Sequence, residues 1–193
     1  LFKFSYFDKK DNRSFIYSGE LFFKPFYSYL EGNTDELNIF YLLNSNSFIP
    51  QLLKTEILNN KNITFNLNLK AKKILNYNNF VNILLNSKIQ EGLIDFDGTE
   101  FEWKNYASFK FFDSLIYIKD NELILDSNTQ INIINNMELY KFLQSPKKLR
   151  KKIKKIDQNF NFNFDKRIIN INDVKIDGIS NQKVTELFKN III

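Results

Sequence analysis

The residues with the strongest chemical signature form a basic run between Pro146 and Ile156, which reads PKKLRKKIKKI. It holds seven cations and no acid, namely Lys147, Lys148, Arg150, Lys151, Lys152, Lys154 and Lys155. The chain carries 27 basic and 22 acidic residues, so without this run 20 basic residues would face 22 acidic ones. The excess positive charge is therefore local, and closely spaced cations of this kind bind phosphate groups.

The spacing of the run predicts a short helix. Ser145 and Pro146 are typical of an N-cap and a first helical position. Leu149, Ile153 and Ile156 follow at i, i+4 and i+7, which gives one narrow apolar stripe with cations on the other faces. Such a helix fits a solvated surface, a membrane surface or partner groove, or a nucleic-acid backbone. Because seven cations repel one another without a polyanion, nucleic acid is favoured, and the thin stripe without Trp or Phe weakens the membrane interpretation.

Two other features could do chemistry. Asp95 and Asp97 lie at i, i+2 on a predicted strand, so both carboxylates point to one face and could share a metal ion or a proton. A solvent-facing strand edge explains the same pair more simply. Trp103 and the tyrosines could stack on unpaired bases, although aromatic residues spread over strands more often pack in a core.

Several kinds of site are missing from the sequence. The chain has no histidine and no cysteine, which removes thiolate zinc sites, thiol nucleophiles and the usual proton-transfer side chain near neutral pH. It also has neither of the common glycine-rich phosphate loops. We therefore expect no enzyme activity, no cofactor and no small-molecule substrate.

The overall composition indicates a globular protein from an A+T-rich genome. The 193 residues allow one large or two small domains, and the 44% hydrophobic and 25% charged fractions are ordinary. The 28 asparagines are typical of A+T-rich codons, so we discount them as a sign of chemistry. No stretch of 18 apolar residues occurs, and the opening LFKFSYFDKKDNR differs from signal and transit peptides. We expect synthesis inside an organelle and no membrane partner.

The order of predicted elements defines the expected fold. Residues 14–29 predict two strands around a turn, residues 55–69 a hairpin around Asn59–Asn60, and residues 76–89 a helix with Phe80, Ile83 and Leu84 on one face. Residues 35–48 fit a helix or a strand equally well.

A second series of elements follows Gly92. Residues 93–103 predict a strand pair around Gly98, residues 108–119 a strand, residues 122–134 a second strand pair, and residues 158–167 an irregular connector or an edge strand. A strand over 168–176, a turn at Gly178 and a helix from Ser180 to Ile191 complete the chain. Strands followed by a helix, twice, predict an α+β fold of two related small domains, each an antiparallel sheet packed against one helix. The expected domains are 1–89 and 90–193, with an insertion at about 119–166.

The C-terminal segment carries a family resemblance. After the strand RIININDVKI come Gly178, Ile179, Gln182 and Val184, and the last of these opens the final helix. This order resembles the closing unit of the large-subunit ribosomal protein six family, although Asn181 stands where that family commonly has lysine. Upstream, GEL after SFIYS, the turn NNKNITF, LLNS, and EGL before a strand with Gly98 follow in the order that the family shows.

The resemblance implies two α+β domains and a place in the large ribosomal subunit, with binding to rRNA near the sarcin-ricin loop and no catalysis. Two departures matter. The basic run lies in the apparent insertion, and the Pro-, Tyr-, Lys- and Gly-rich tail of many members does not follow the last helix. We therefore hypothesise that the inserted basic run supplies part of the phosphate contact.

Together these arguments predict a structural constituent of the large ribosomal subunit in a mitochondrion, encoded in the organelle. Its expected partners are large-subunit rRNA and neighbouring ribosomal proteins. The expected RNA-binding residues are Lys147, Lys148, Arg150, Lys151, Lys152, Lys154, Lys155, Lys175 and Lys183. One alternative is an accessory, non-catalytic subunit of an organellar membrane complex. Another, less favoured, is a nuclease that uses Asp95 and Asp97.

Overall fold

The structure is a computed structural model that describes residues 1–10, 13–39, 47–189 and 191–192. Strands account for 61% of the chain and helices for 14%. The strands are β1 (Phe2–Lys10), β2 (Arg13–Phe23), β3 (Phe26–Leu37), β4 (Ile63–Ile74), β5 (Tyr77–Gln90), β6 (Leu93–Asp95), β7 (Glu100–Trp103), β8 (Ala107–Lys119), β9 (Glu122–Ile133), β10 (Lys155–Asn163), β11 (Ile168–Ile176), β12 (Ile179–Ser180) and β13 (Ile191–Ile192). The helices of the described residues are α1 (Phe48–Lys54), α2 (Asn136–Phe142) and α3 (Gln182–Leu187), with 3₁₀ turns at Ile57–Asn59 and Lys147–Leu149. Within these ranges no helix has the length and apolar character that crossing a membrane requires.

All thirteen strands belong to one sheet. Its order is β1-β2-β3-β4-β5-β6-β8-β9-β10-β11-β12, while β13 pairs with β11, and β7 pairs with β5 and β8. The β3–β4 pair is parallel, and the other pairs are antiparallel. The predicted α+β class with two small domains, each covered by one helix, is therefore wrong. The predicted division into domains at residues 1–89 and 90–193 stays a prediction. The sheet is continuous across that boundary, where Ile89 of β5 pairs with Ile94 of β6.

Alternation of apolar and polar residues explains why strands dominate. In β4, Leu67, Leu69 and Ala71 face one side of the sheet, and the intervening asparagines and Lys70 face the other. A period of two suits a half-buried strand and does not suit a helix. The apolar side holds three core clusters, centred on Leu69 and Ile83, on Leu58 and Leu123, and on Phe160 and Val174.

The helix predicted over residues 76–89 is wrong, because this segment is strand β5. Ile83 and Leu85 lie opposite Ala71 and Leu69 of β4, and Leu84 lies on the other face. The helical spacing of Phe80, Ile83 and Leu84 therefore combined residues from both faces of one strand. Pairing with β4 on one side and with β6 and β7 on the other satisfies the backbone, which outweighs weak local preference.

Other predictions have mixed outcomes. The hairpin over 55–69 is wrong, since a 3₁₀ turn precedes the single strand β4, whose neighbour β3 runs parallel to it. The pair over 122–134 is one strand, β9. Residues 158–163 of the stretch predicted as a connector or an edge strand belong to β10, which lies inside the sheet between β9 and β11. The strands around Pro25, the two strands on either side of Gly98, β8 and β11 are confirmed. The strands β6 and β7 around Gly98 each pair with β5 and β8 and not with each other. Part of the ambiguous stretch 35–48, residues 40–46, lies outside the described residues.

The last strands protect one edge of the sheet. Strand β11 pairs with β12 at one end and with β13 at the other, and α3 packs between them. The Thr185 hydroxyl accepts a hydrogen bond from the Val174 N–H at 3.1 Å. The cap predicted at Ser180 is wrong by one residue, because the Asn181 side chain accepts the Val184 N–H, and the helix ends at Leu187.

Candidate nucleic-acid interface

Residues 147–155, here called the basic segment, connect α2 to β10. They form a 3₁₀ turn at Lys147–Leu149, then an extended stretch, and join the sheet at Lys155. The helix predicted over residues 145–156 is therefore wrong. Leu149, placed on its apolar stripe, is 63% exposed, and Ile156 packs in a core cluster as part of β10. Mutual repulsion of cations on consecutive turns disfavours a helix here.

Side chains of α2 hold the backbone of the basic segment. The Asn136 amide group donates to the Ile153 carbonyl oxygen at 2.8 Å and accepts the Ile153 N–H at 3.0 Å. The Tyr140 hydroxyl donates to the Lys151 carbonyl oxygen at 2.5 Å, and the Lys151 N–H donates back to that hydroxyl at 3.3 Å. These hydrogen bonds satisfy backbone N–H and carbonyl groups that would have been bonded within a helix. They leave the lysine side chains free to face solvent.

Asp177 anchors the end of the basic segment. Its Oδ1 accepts the N–H groups of Lys154 at 2.9 Å and Lys155 at 2.8 Å. The bond from Lys155, and then that from Lys154, lowers the pKa of the Asp177 carboxyl below its ordinary value. Asp177 has φ of 51° and Gly178 has φ of 84°, so the tight turn after β11 presents this carboxylate to the basic segment.

The charges of the basic segment are largely uncompensated. Its exposed lysines are Lys147, Lys148, Lys151, Lys152 and Lys154. Among described residues, none of them has a carboxylate within ion-pair distance. Arg150 is half-buried and donates from Nε to the Ser145 carbonyl oxygen at 2.9 Å, which fixes the turn. Five ammonium groups on a tethered backbone can contact consecutive phosphates.

The other predicted cations differ in their surroundings. The Lys155 Nζ lies 2.9 Å from the Asp157 carboxylate. Lys175 stands opposite Asp157 in the β10–β11 register, and its Nζ lies 3.7 Å from Asp173. Lys183 is exposed on α3, beyond the outer edge of β11. The structure therefore brings Lys155 and Lys175 onto neighbouring strands beside acids, and it shows no contact between Lys183 and the basic segment.

The carboxylates of Asp95 and Asp97 accept backbone hydrogen bonds in the turn that follows β6. Asp95 Oδ1 accepts the Asp97 N–H at 2.7 Å, and Asp97 Oδ1 accepts the Ser114 N–H at 2.8 Å. One oxygen of each carboxylate is thus committed to backbone donors between β6 and β8. The described ranges contain no group of three or more acidic, histidine or cysteine side chains placed to hold a metal ion.

Sequence reasoning missed a ladder of polar side chains across four strands, here called the asparagine ladder. Asn172 donates to Asn159 at 2.8 Å, Asn159 to Asn128 at 2.9 Å, and Asn128 to Asp113 at 3.3 Å. We discounted the asparagines as a sign of chemistry, and these three have a structural role in the sheet. The alternation of asparagine with apolar residues in β10 was the sequence signal that could have revealed the ladder. No sequence signal marks the residues that anchor the basic segment, Asn136, Tyr140 and Asp177, because they lie 11 to 23 residues from their partners.

No family model, curated protein or solved structure matches this chain.

Proposed function

We propose that the protein is a non-catalytic RNA-binding constituent of a mitochondrial large ribosomal subunit, with the basic segment as its main phosphate-binding element. The observation that carries this proposal is the set of five exposed, unpaired lysines on a backbone tied down by Asn136, Tyr140 and Asp177. Because the backbone is already held in place, the segment loses less conformational entropy when it binds RNA. The segment thus presents fixed positive charge rather than a flexible tail.

The ribosomal part of the proposal has narrower support. The segment that resembles the ribosomal family has the expected order of a strand (β11), a turn at Gly178 and a helix (α3). The two-domain fold that the resemblance implies is not the observed one. The proposed partners are therefore large-subunit rRNA and neighbouring ribosomal proteins. A location beside the sarcin-ricin loop is not part of the proposal.

Salt-dependent binding to purified large-subunit rRNA tests the RNA-binding role. A test variant changes Lys147, Lys148, Lys151, Lys152 and Lys154 to Gln. A matched control changes five exposed lysines elsewhere, namely Lys9, Lys24, Lys61, Lys70 and Lys119. The affinity decreases as salt rises, so the slope of log affinity against log salt is negative. If all five test lysines contact phosphates, the magnitude of this slope is smaller in the test variant by about 3.5 to 4.5 between roughly 50 and 200 mM salt. The control keeps the wild-type slope, and equal slopes for both variants would contradict the proposal.

A further inference from the structure

An aromatic cluster lies beside the basic segment. Trp103 ends β7, Tyr106 lies in the turn to β8, and Phe142 ends α2. The Phe142 ring centroid is 5.2 Å from that of Trp103 and 5.5 Å from that of Tyr106, and the Trp103 and Tyr106 centroids are 5.4 Å apart. These three residues form the aromatic cluster.

The aromatic cluster is open to solvent on the side of α2. Phe142 is 46% exposed, its neighbour Leu143 is 52% exposed, and Met137 on the same helix is 66% exposed. Helix α2 has no buried residue. Phe142 and Leu143 thus place two adjacent exposed apolar side chains at the end of a helix that rests on the surface, and exposed apolar surface of this kind can serve as an interaction site.

The helix that carries Phe142 also holds the basic segment. Tyr140 binds Lys151, and only five positions separate Phe142 from Lys147, so those two Cα atoms lie within about 18 Å. The Lys104 Nζ lies 5.9 Å from the Tyr106 ring centroid, which adds a further cation at the aromatic cluster. The Glu138 carboxylate on α2 pairs with the Lys141 Nζ at 2.6 Å. The aromatic cluster, in which the Phe142 ring is exposed and the Trp103 and Tyr106 rings are half-buried, thus lies near positive charge.

We propose that the aromatic cluster stacks unpaired bases of the RNA whose phosphates the basic segment holds. This inference rests on the proposed function and specifies its substrate as single-stranded RNA, such as a loop or bulge. A partly exposed aromatic cluster near cations matches both parts of an unpaired nucleotide, its flat base and its phosphate. In a duplex the faces of the bases are stacked on one another. Duplex RNA can therefore contact the lysines through its phosphates, but it cannot stack on the aromatic cluster.

Fluorescence offers a direct test, because Trp103 is the single tryptophan of the chain. The probes are an unstructured single-stranded RNA of mixed A and U, and the same sequence as a duplex. We expect the single strand to quench Trp103 emission and the duplex to leave it unchanged. Equal emission with both RNAs, under conditions where both bind, would overturn the inference.

Substitution of Phe142 provides the second arm. Phe142→Ala is expected to weaken single-strand binding by about 5- to 100-fold and to leave duplex binding within about twofold. Phe7→Leu, at another exposed ring, serves as the control. Single-strand binding that is unaffected by Phe142→Ala overturns the stacking role and leaves phosphate binding standing. Absence of binding to either RNA overturns the proposed function as well, and capture of anionic vesicles in place of RNA has the same consequence.

Discussion

The Tyr140 hydroxyl and the Lys151 carbonyl oxygen lie 2.5 Å apart and join α2 to the middle of the basic segment. This hydrogen bond links residues eleven positions apart, and its acceptor Lys151 lies in the stretch where the sequence predicted a short helix, residues 145–156. The apolar stripe of that helix does not form, and the lysines extend from a segment whose second half is held by α2 and Asp177. The link also places the exposed ring of Phe142 on the element that fixes the cations.

Tyr140→Phe should loosen the basic segment without unfolding the protein. The variant loses both hydrogen bonds of the Tyr140 hydroxyl, the one it donates to the Lys151 carbonyl oxygen and the one it accepts from the Lys151 N–H, and a typical hydrogen bond has a net contribution of about 0.5–1.5 kcal/mol. We expect the Lys151 amide to exchange with solvent about 2- to 10-fold faster, measured by hydrogen exchange and NMR. Tyr6→Phe, on β1, is the control and should change nothing at Lys151. Unchanged exchange in the Tyr140 variant would show that the basic segment is held without this bond.

Asp177→Ala should free the start of β10. The change removes the acceptor of two N–H groups and places alanine at positive φ, whereas Asp177→Asn keeps an acceptor and a side chain that tolerates this conformation. We expect faster amide exchange at Lys154 and Lys155 in the alanine variant and nearly wild-type exchange in the asparagine variant. Equal protection in both variants would argue against Asp177 as the anchor.

Stability should fall in acid through Asp35. Its carboxylate pairs with Lys72 at 2.6 Å and accepts the Ser14 N–H at 2.7 Å, and these contacts, that with Lys72 first, lower its pKa to about 2. Since the unfolded chain takes up the proton at a higher pH, the stabilisation is present above about pH 4 and disappears as pH falls toward 2. Urea midpoints at about pH 5 and pH 2.5 should differ less in Asp35→Asn than in wild type or in Asp120→Asn. A drop of the same size in all three proteins would refute this assignment.

The asparagine ladder should contribute to stability mainly through Asn159, which makes its one partly buried hydrogen bond. Asn159→Ala removes the donor to Asn128 and the acceptor for Asn172, and we expect a loss of about 1–3 kcal/mol in the free energy of unfolding. Asn172→Ala removes one exposed bond and should cost less than about 1 kcal/mol. Chemical denaturation measures both, and the opposite ranking would mean that the ladder is a solvent-exposed feature of little energetic weight.

Local signals predicted the elements whose structure depends on neighbouring residues. The alternation in β11, the turn at Gly178 with its positive φ, and a polar cap before α3 all lie within one short stretch, so the sequence contained them. The strands around Pro25 and Gly98 were predictable for the same reason.

Long-range pairing decided the rest. Residues 77–90 have an ambiguous pattern, and their strand structure comes from β4, β6 and β7 on either side. The lysines of the basic segment could be identified from charge alone. Their extended arrangement could not, because it depends on Asn136, Tyr140 and Asp177, which carry no pattern that relates them to the run.

Sedimentation of the native protein from a lysate of the cells that make it shows whether the protein is a constituent of the large ribosomal subunit. We expect it to sediment with a particle that contains large-subunit rRNA, and we expect ribonuclease or high salt to release it. Recovery of the protein in a particle free of RNA, with or without membrane components, would refute the proposed function.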